Sequence, residues 1–277
     1  KIRGGCMKIR RIIILCILIF FSILIMFGFL NTDLKLTKYD YYSSKIPKAF
    51  NGYKIIQISD LHHKNFGTNQ SDLIKIINSQ NPDIILLTGD IVDEDHTDMT
   101  PIENLLKGIC NTAPIYYVTG NHELELDASE QYGKLQVLFD NYGVVDLDDK
   151  SVELTKGGDS IYLTGLKYRS DYIKGYLESA DSSKFNILMY HGSNNFNQIC
   201  KYGYDLVFSG HSHGGIVRLP FIGGLIGNKG DGLLPNYCGG VFENNNSTLI
   251  SSCGLGDSDI PRFNNPPEVV MITIHRS

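Results

Sequence analysis

The chain has 277 residues, 42% hydrophobic and 20% charged, enough to bury a full core as one large domain or two small ones. Its formal net charge is −5, and no basic block lies beyond the N-terminus, so specific nucleic-acid binding is not expected. Six cysteines (Cys6, Cys16, Cys110, Cys200, Cys238, Cys253) lack metal-finger spacing. Free thiols are expected, with a Cys238–Cys253 pair as the alternative in an oxidising compartment.

The N-terminus comes first. Met7-Lys8-Ile9-Arg10-Arg11 is basic, and Ile12 through Leu30 is uncharged and almost wholly apolar. About 20 such residues span a bilayer core. The exit, Phe27-Gly28-Phe29-Leu30-Asn31-Thr32-Asp33, lacks the small-residue cleavage pattern of a signal peptide, which favours a retained signal anchor. Basic residues stay cytoplasmic, so the expectation is a single-pass cell-membrane protein whose bulk, after Asn31, is extracytoplasmic. Residues 1–30 then form the basic flank and transmembrane helix, 31–51 a stalk and leading segment running into a first edge strand, and 52–277 the folded domain.

Further on, strand-like and helix-like runs alternate. The stretch Tyr53–Ser59 reads as a strand ending in Asp60-Leu61-His62. A helix follows, with Ser71 as its N-cap and Leu73, Ile74, Ile76 and Ile77 on one face, and Pro82 ends it. Asp83–Thr88 reads as a buried strand ending in Gly89-Asp90. A second helix over 102–109 leads to strand Ile115–Val118, which ends in Gly120-Asn121-His122-Glu123. A third helix is expected near 129–139, then strands over 151–155 and 161–166, and a polar helix over 170–181. Strand Phe185–Tyr190 ends in His191.

The stretch Asp205–Gly215 then stops a short apolar strand at Gly210-His211-Ser212-His213. In an extended backbone, His211 and His213 would share one face. Last strands are expected over 247–252 and 269–274. Alternating strand and helix gives an α/β core with helices covering the sheet faces. In open α/β sheets, ligands bind beyond the carboxyl ends of strands. Five strand ends here carry Asp60 and His62, Asp90, Asn121 and His122, His191, and His211 and His213, so these side chains converge.

Carboxylate, carboxamide and imidazole donors without thiolate suit Mn²⁺, Fe, Zn²⁺ or Mg²⁺. The set is too large for one ion. Two divalent ions sharing Asp90 account for the surplus. A water held between two cations loses a proton near neutral pH and becomes a positioned nucleophile, a metal-bridged hydroxide. Arg169, Arg218 and Arg262 are candidate clamps for a substrate phosphate. Glu123 reads as an orienting group, His63 as either a supporting or an exposed residue, and Asp93-Glu94-Asp95-His96-Thr97-Asp98 as a solvated acidic loop.

The blocks Asp60-x-His62, Gly89-Asp90, Gly120-Asn121-His122-Glu123, His191 and Gly210-His211-x-His213 resemble the signature of the calcineurin-like metallophosphoesterases, in family order. The resemblance implies a fold of two packed mixed β-sheets flanked by helices, an αββα four-layer sandwich. It implies that Asp60, His62, Asp90 and His213 hold one metal and that Asp90, Asn121, His191 and His211 hold the other, manganese being the first choice and Fe or Zn²⁺ the alternatives. The catalytic role that the resemblance implies for His122 is to protonate the leaving oxygen or to stabilise the transition state. With the anchor, Gly214–Pro220 and Ile260–Phe263 look closest to a membrane-anchored bacterial branch. Some members of that branch are associated with hydrolysis of UDP-diacylglucosamine. The expected activity is hydrolysis of a phosphodiester, phosphomonoester or lipid-linked pyrophosphate. The alternative is a non-catalytic metal-bound scaffold recruiting a partner at the membrane.

Overall fold

Short apolar runs rich in Ile, Leu, Val and Tyr become strands, and the longer amphipathic stretches between them become helices. The computed structural model describes residues 10–19, 22, 26, 28, 33–169, 173–227, 232–258 and 260–277. The first half contains β1 (Lys35–Tyr42), β2 (Tyr53–Ile58), α1 (Ser71–Ser79), β3 (Ile84–Leu87), α2 (Thr100–Ile109), β4 (Ile115–Tyr117), α3 (Asn121–Glu125), α4 (Glu130–Tyr142) and β5 (Val144–Asp146). The second half contains β6 (Lys150–Lys156), β7 (Asp159–Gly165), β8 (Asn186–Gly192), α5 (Phe196–Ile199), β9 (Leu206–Gly210), β10 (Val217–Leu219) and β11 (Gly223–Ile226). It closes with β12 (Gly240–Asn244), β13 (Ser247–Ser251) and β14 (Glu268–His275).

These strands make two six-stranded mixed sheets and a small ribbon. The first sheet has the order β1-β14-β2-β3-β4-β5, the second β12-β13-β9-β8-β7-β6, and β10 pairs with β11 alone. In the first sheet β2 through β5 are parallel, and β14 runs antiparallel to β2. In the second, β7, β8, β9 and β13 are parallel between antiparallel edges β6 and β12.

Alternating side chains decide what faces what. Ile55, Leu86 and Tyr116 of the first sheet share one buried cluster with Leu163, Ile187 and Phe208 of the second. The opposite face of the first sheet, Ile56, Ile85 and Ile115, meets Leu73 and Ile77 of α1, Leu105 and Ile109 of α2, and Phe139 of α4. The outer face of the second sheet packs Leu188, Val207 and Leu249 on Phe196 and Ile199 of α5. Central strands are thus buried on both faces, which is why they read as unbroken apolar runs.

Two local expectations change. Ser71 is the first helical residue of α1 and caps nothing. Instead Gln70, in a left-handed conformation, accepts from Phe66 N–H and donates to Lys64 C=O. Residues 173–181 are not helical. Gly175 at φ 89° interrupts the backbone there, while Ile173 and Leu177 are buried against the second sheet. Residues 170–172 of that expected helix lie outside the described residues. Over 35–42 the leading segment is the expected edge strand, since β1 ends the first sheet and pairs with β14 along its whole length. As expected, the described cysteines Cys16, Cys110, Cys200, Cys238 and Cys253 are all free, so the Cys238–Cys253 alternative is set aside.

Residues 10–19 are helical, and Ile12, Ile13, Ile14, Leu15, Ile17, Leu18 and Ile19 lie exposed along them. No helix among the described residues is long and apolar enough to cross a membrane. Most of the second half of the 12–30 run, on which the anchor expectation falls, lies outside the described residues.

Candidate metal centre

The site lies where the carboxyl ends of the two sheets meet. From the first sheet, β2 delivers Asp60 and His62, β3 delivers Asp90, and β4 delivers Asn121 and His122. From the second, β8 carries His191, and β9 leads into His211 and His213. The backbone bends hard to do this. Asp60, His62, Asp90, His211 and His213 have φ of 51°, 46°, 52°, 69° and 45°. Non-glycine residues in such conformations cost about 1–3 kcal/mol each and persist only where surrounding structure over-determines them. Glycine is required beside them. A Cβ at Gly120 would strike the Asp90 carboxylate, and one at Gly210 would strike Ser59 and Asp60.

All seven expected ligands converge, in two overlapping groups. Asp60, His62 and His213 present ligand atoms within 4.8 Å of one another, and so do Asp90, His191 and His211. His62 Nε2 is 3.3 Å from His213 Nε2, which lies 3.5 Å from Asp60 Oδ1. Asn121 Oδ1 is 2.8 Å from His211 Nδ1 and 3.2 Å from His191 Nε2. Asp90 Oδ2 lies 2.9 Å from His191 Nε2 and 4.0 Å from His62 Nε2, so it borders both groups. His211 and His213 do not share a face. The left-handed turn at both residues sends one ring to Asn121 and the other to Asp60.

These side chains fit divalent metal. Asp60 Oδ2 and Asp90 Oδ2 are buried without a hydrogen-bond partner, although His191 stands close to the latter. Ligands about 2.1 Å from one ion at right angles sit roughly 3 Å apart, the spacing seen here. An unpaired buried carboxylate is otherwise expensive. The remaining carboxylate oxygens are aimed by main-chain donors, with His211 N–H on Asp60 Oδ1 at 3.0 Å and His122 N–H on Asp90 Oδ1 at 2.9 Å.

Charge tells the same story. Burial lowers the pKa of His191, yet Asp90 and Asp60 outweigh it and push it up to about 10. Two buried carboxylates demand positive charge between them, from a proton or from a metal ion. His213 goes the other way. Burial, then His62 and Arg262, hold its pKa well below the ordinary value, and a neutral imidazole is the form that ligates metal.

A second ring of groups fixes these donors. His191 Nδ1 faces Thr88 C=O at 2.7 Å, which leaves Nε2 for the site. Buried Glu123 accepts from the N–H groups of Asp90, Ile91, Val92 and Gly120, so it pins the β3 and β4 loops together. It orients these loops. Losing a buried acceptor of this kind costs about 1–3 kcal/mol for each donor left unpaired.

The 93–98 loop is more than a solvated acidic stretch. Asp93 is buried, lies 3.6 Å from His62 Nδ1 and accepts from His96 N–H at 2.9 Å. Glu94 Oε2 pairs with His122 Nδ1 at 2.5 Å. Burial would lower the His122 pKa, but Asp90 and Glu94 together raise it. His63 is buried and held by Asp98 C=O at 2.8 Å and by Gln131 Nε2 at 3.3 Å. A sequence signal for this support existed, since Asp93 and Glu94 follow Asp90 by three and four residues.

The arginines are spent elsewhere. Arg262 is buried, donates to Gly256 C=O and Cys253 C=O, and stands 3.4 Å from His213 Nδ1. Arg218 donates to Gly214, Cys238 and Gly239 C=O. Arg169 pairs with Asp149 and stacks on Tyr176. Each guanidinium ties loops together through these bonds, Arg262 within reach of His213.

Known proteins share this framework. The metallophosphoesterase YkuE of Bacillus subtilis is 29% identical over 252 residues, covering 86% of this chain and 84% of its own. The phosphodiesterase YaeI of Escherichia coli is 25% identical, covering 80% of this chain and 82% of its own. The UDP-2,3-diacylglucosamine pyrophosphatase LpxG of Chlamydia muridarum is 25% identical, covering 86% and 88%. The calcineurin-like phosphoesterase family matches residues 53–215, the span that carries every ligand block. The chain therefore belongs to the calcineurin-like phosphoesterases and is a metallophosphoesterase, a hydrolase acting on phosphoric esters.

Proposed function

We propose that the chain is a dinuclear metal-dependent phosphoesterase anchored in the cell membrane, with its catalytic domain on the extracytoplasmic side. One observation carries the dinuclear reading. Two buried carboxylates with unpartnered oxygens stand among four imidazoles and a carboxamide, in two groups that Asp90 borders together. Asp60, His62, Asp90 and His213 hold one ion, and Asp90, Asn121, His191 and His211 hold the other. The donors are nitrogen and oxygen only, which suits Mn²⁺ first, with Fe or Zn²⁺ as alternatives.

Bound divalent ions supply charge for the phosphoryl oxygens and acidify an attacking water. The protein does the rest. Glu123 and the Asp60 and Asp90 carboxylates hold the loop ends in register, and Thr88 fixes the His191 tautomer. His122, its Nδ1 held by Glu94, protonates the leaving oxygen. The substrate is a phosphate ester or a lipid-linked pyrophosphate. The name of the Chlamydia relative and the exposed apolar N-terminal helix support that class.

Stripping the protein of metal should abolish hydrolysis of bis(p-nitrophenyl) phosphate, and added Mn²⁺ should restore it with two ions bound per chain. A single tightly bound ion, with no activation by added Mn²⁺, would sink the dinuclear reading. For orientation, protease added to cells whose wall admits it should digest the domain while the membrane is intact. Protection until lysis would reverse the assigned side.

A further inference from the structure

Beside the metal centre the chain sends out a ribbon for which the hydrolytic reading has no use. The turn His213–Gly215 leads directly into β10, and β11 returns against it. The base of the ribbon is fixed. Gly224 packs so closely on Gly215 that a Cβ on Gly215 would strike the Gly224 backbone, and Arg218 bonds Gly214 C=O. Its outer end is apolar and bare. Phe221 is fully exposed, Ile222 is 61% exposed, and Leu233 and Leu234 are 80% and 61% exposed.

Leu233 and Leu234 belong to the same ribbon, because Leu233 bridges Ile226 and Leu234 N–H bonds Leu225 C=O at 2.8 Å. Among the described residues from Val217 to Leu234 the only charged side chain is Arg218, which is engaged at the base; Lys229 and Asp231 lie in the connection between Gly227 and Gly232. Four large apolar side chains on one projection, exposed among the described residues, mark a contact surface.

Its position names the occupant. Val217 bridges Phe263, and Arg218 N–H bonds Phe263 C=O at 2.9 Å. The next residue, Asn264, donates its N–H to Gly28 C=O at 2.8 Å, and Gly28 abuts the Phe263 ring. Gly28 lies at the end of the apolar N-terminal run. The run therefore reaches the folded domain at the root of the ribbon, where a membrane surface would meet both. Phe221 stands eight residues after His213, so at most about 29 Å of chain separates the tip from the metal centre.

We propose that Phe221, Ile222, Leu233 and Leu234 insert into the outer surface of the same bilayer that holds the N-terminal helix. The ribbon thereby sets the metal centre over the lipid headgroups, to act on a phosphoester carried by a lipid. This rests on the membrane-anchored reading above and adds the surface that would orient the domain. Interfacial apolar side chains of this kind settle about 5–10 Å into the headgroup boundary.

The chain has no tryptophan, which makes the test direct. Full-length F221W and L233W are placed in phosphatidylcholine–phosphatidylglycerol vesicles, with V137W as control, since Val137 is an exposed residue of α4. At that depth, vesicles brominated on the upper acyl chain should remove roughly half of the F221W and L233W emission. Their emission should also shift to the blue, while V137W stays unquenched by lipid and open to acrylamide.

Unquenched F221W and L233W in vesicle-bound protein would overturn the proposal. So would shielding of both from acrylamide without lipid quenching, which would point to a second copy of the chain. Failure of the full chain to float with vesicles would overturn it together with the anchor. Hydrolysis of soluble bis(p-nitrophenyl) phosphate, measured in parallel, should be unchanged in all three variants. Its absence from the unmodified chain would defeat the phosphoesterase reading while leaving the quenching result standing.

Discussion

An Asp90→Asn variant should lose about 10³-fold in hydrolytic rate, because charge stabilisation at a reacting phosphoryl group is the largest single contribution that such a site makes. Asp90 Oδ1 takes the His122 N–H, and Oδ2 is left facing His191 and, farther away, His62. One oxygen thus serves both groups of donors. Asparagine keeps the shape and one acceptor, so the fold should survive, but it removes the negative charge that draws cations to the cluster. Elemental analysis should show both ions weakened together. A His62→Ala variant should loosen only the group shared with Asp60 and His213, and excess Mn²⁺ should recover part of its activity. Retention of a full metal complement by Asp90→Asn, at wild-type affinity, would refute the shared role.

His122→Ala should keep its metals and its fold while losing about 10²–10⁴-fold in rate, the range for a positioned general acid. The adjacent Asn121 points Oδ1 at His191 and His211, whereas His122 turns Nδ1 to Glu94. The loss should shrink for a nitrophenyl ester, whose leaving group departs without a proton. Asn121→Ala should instead lose metal affinity and improve with excess Mn²⁺.

The pH profile gives a further check. An acid must be protonated, so the rate falls as pH rises through the His122 pKa, which Asp90 and Glu94 raise against the opposing effect of burial. Glu94→Gln removes one of these partners, and the fall should then begin at lower pH. His62, Asp90 and His122 also bring ligand atoms within 4.8 Å of one another, so a ligand role for His122 is a concrete rival. Loss of metal from His122→Ala, or an equal defect on every leaving group, would decide for that rival.

The arginines show how far single-residue reasoning reaches. Arg262 looks like a phosphate clamp because a guanidinium suits phosphate. Its carbonyl partners at Cys253 and Gly256 lie in a loop that approaches it only through folding, and they take its donors first. The same holds for Asp93 and Glu94. A run of acids reads as solvated until the β3 and β4 loops bring His62 and His122 beside it.

By itself the sequence determined the alternation of strand and helix, and it placed every nitrogen and oxygen donor at a strand end. Both follow from local rules, since apolar period and glycine punctuation act within a few residues. Tertiary structure alone decided that two sheets pack face to face with their carboxyl ends together at the site, three strand ends coming from one and two from the other. It also sent His211 and His213 into different groups, through a left-handed turn that extended-strand periodicity excludes. Such backbone is unfavourable locally and is held by contacts between residues more than a hundred positions apart, such as His211 N–H on Asp60 and His62 beside His213. No local pattern encodes those contacts.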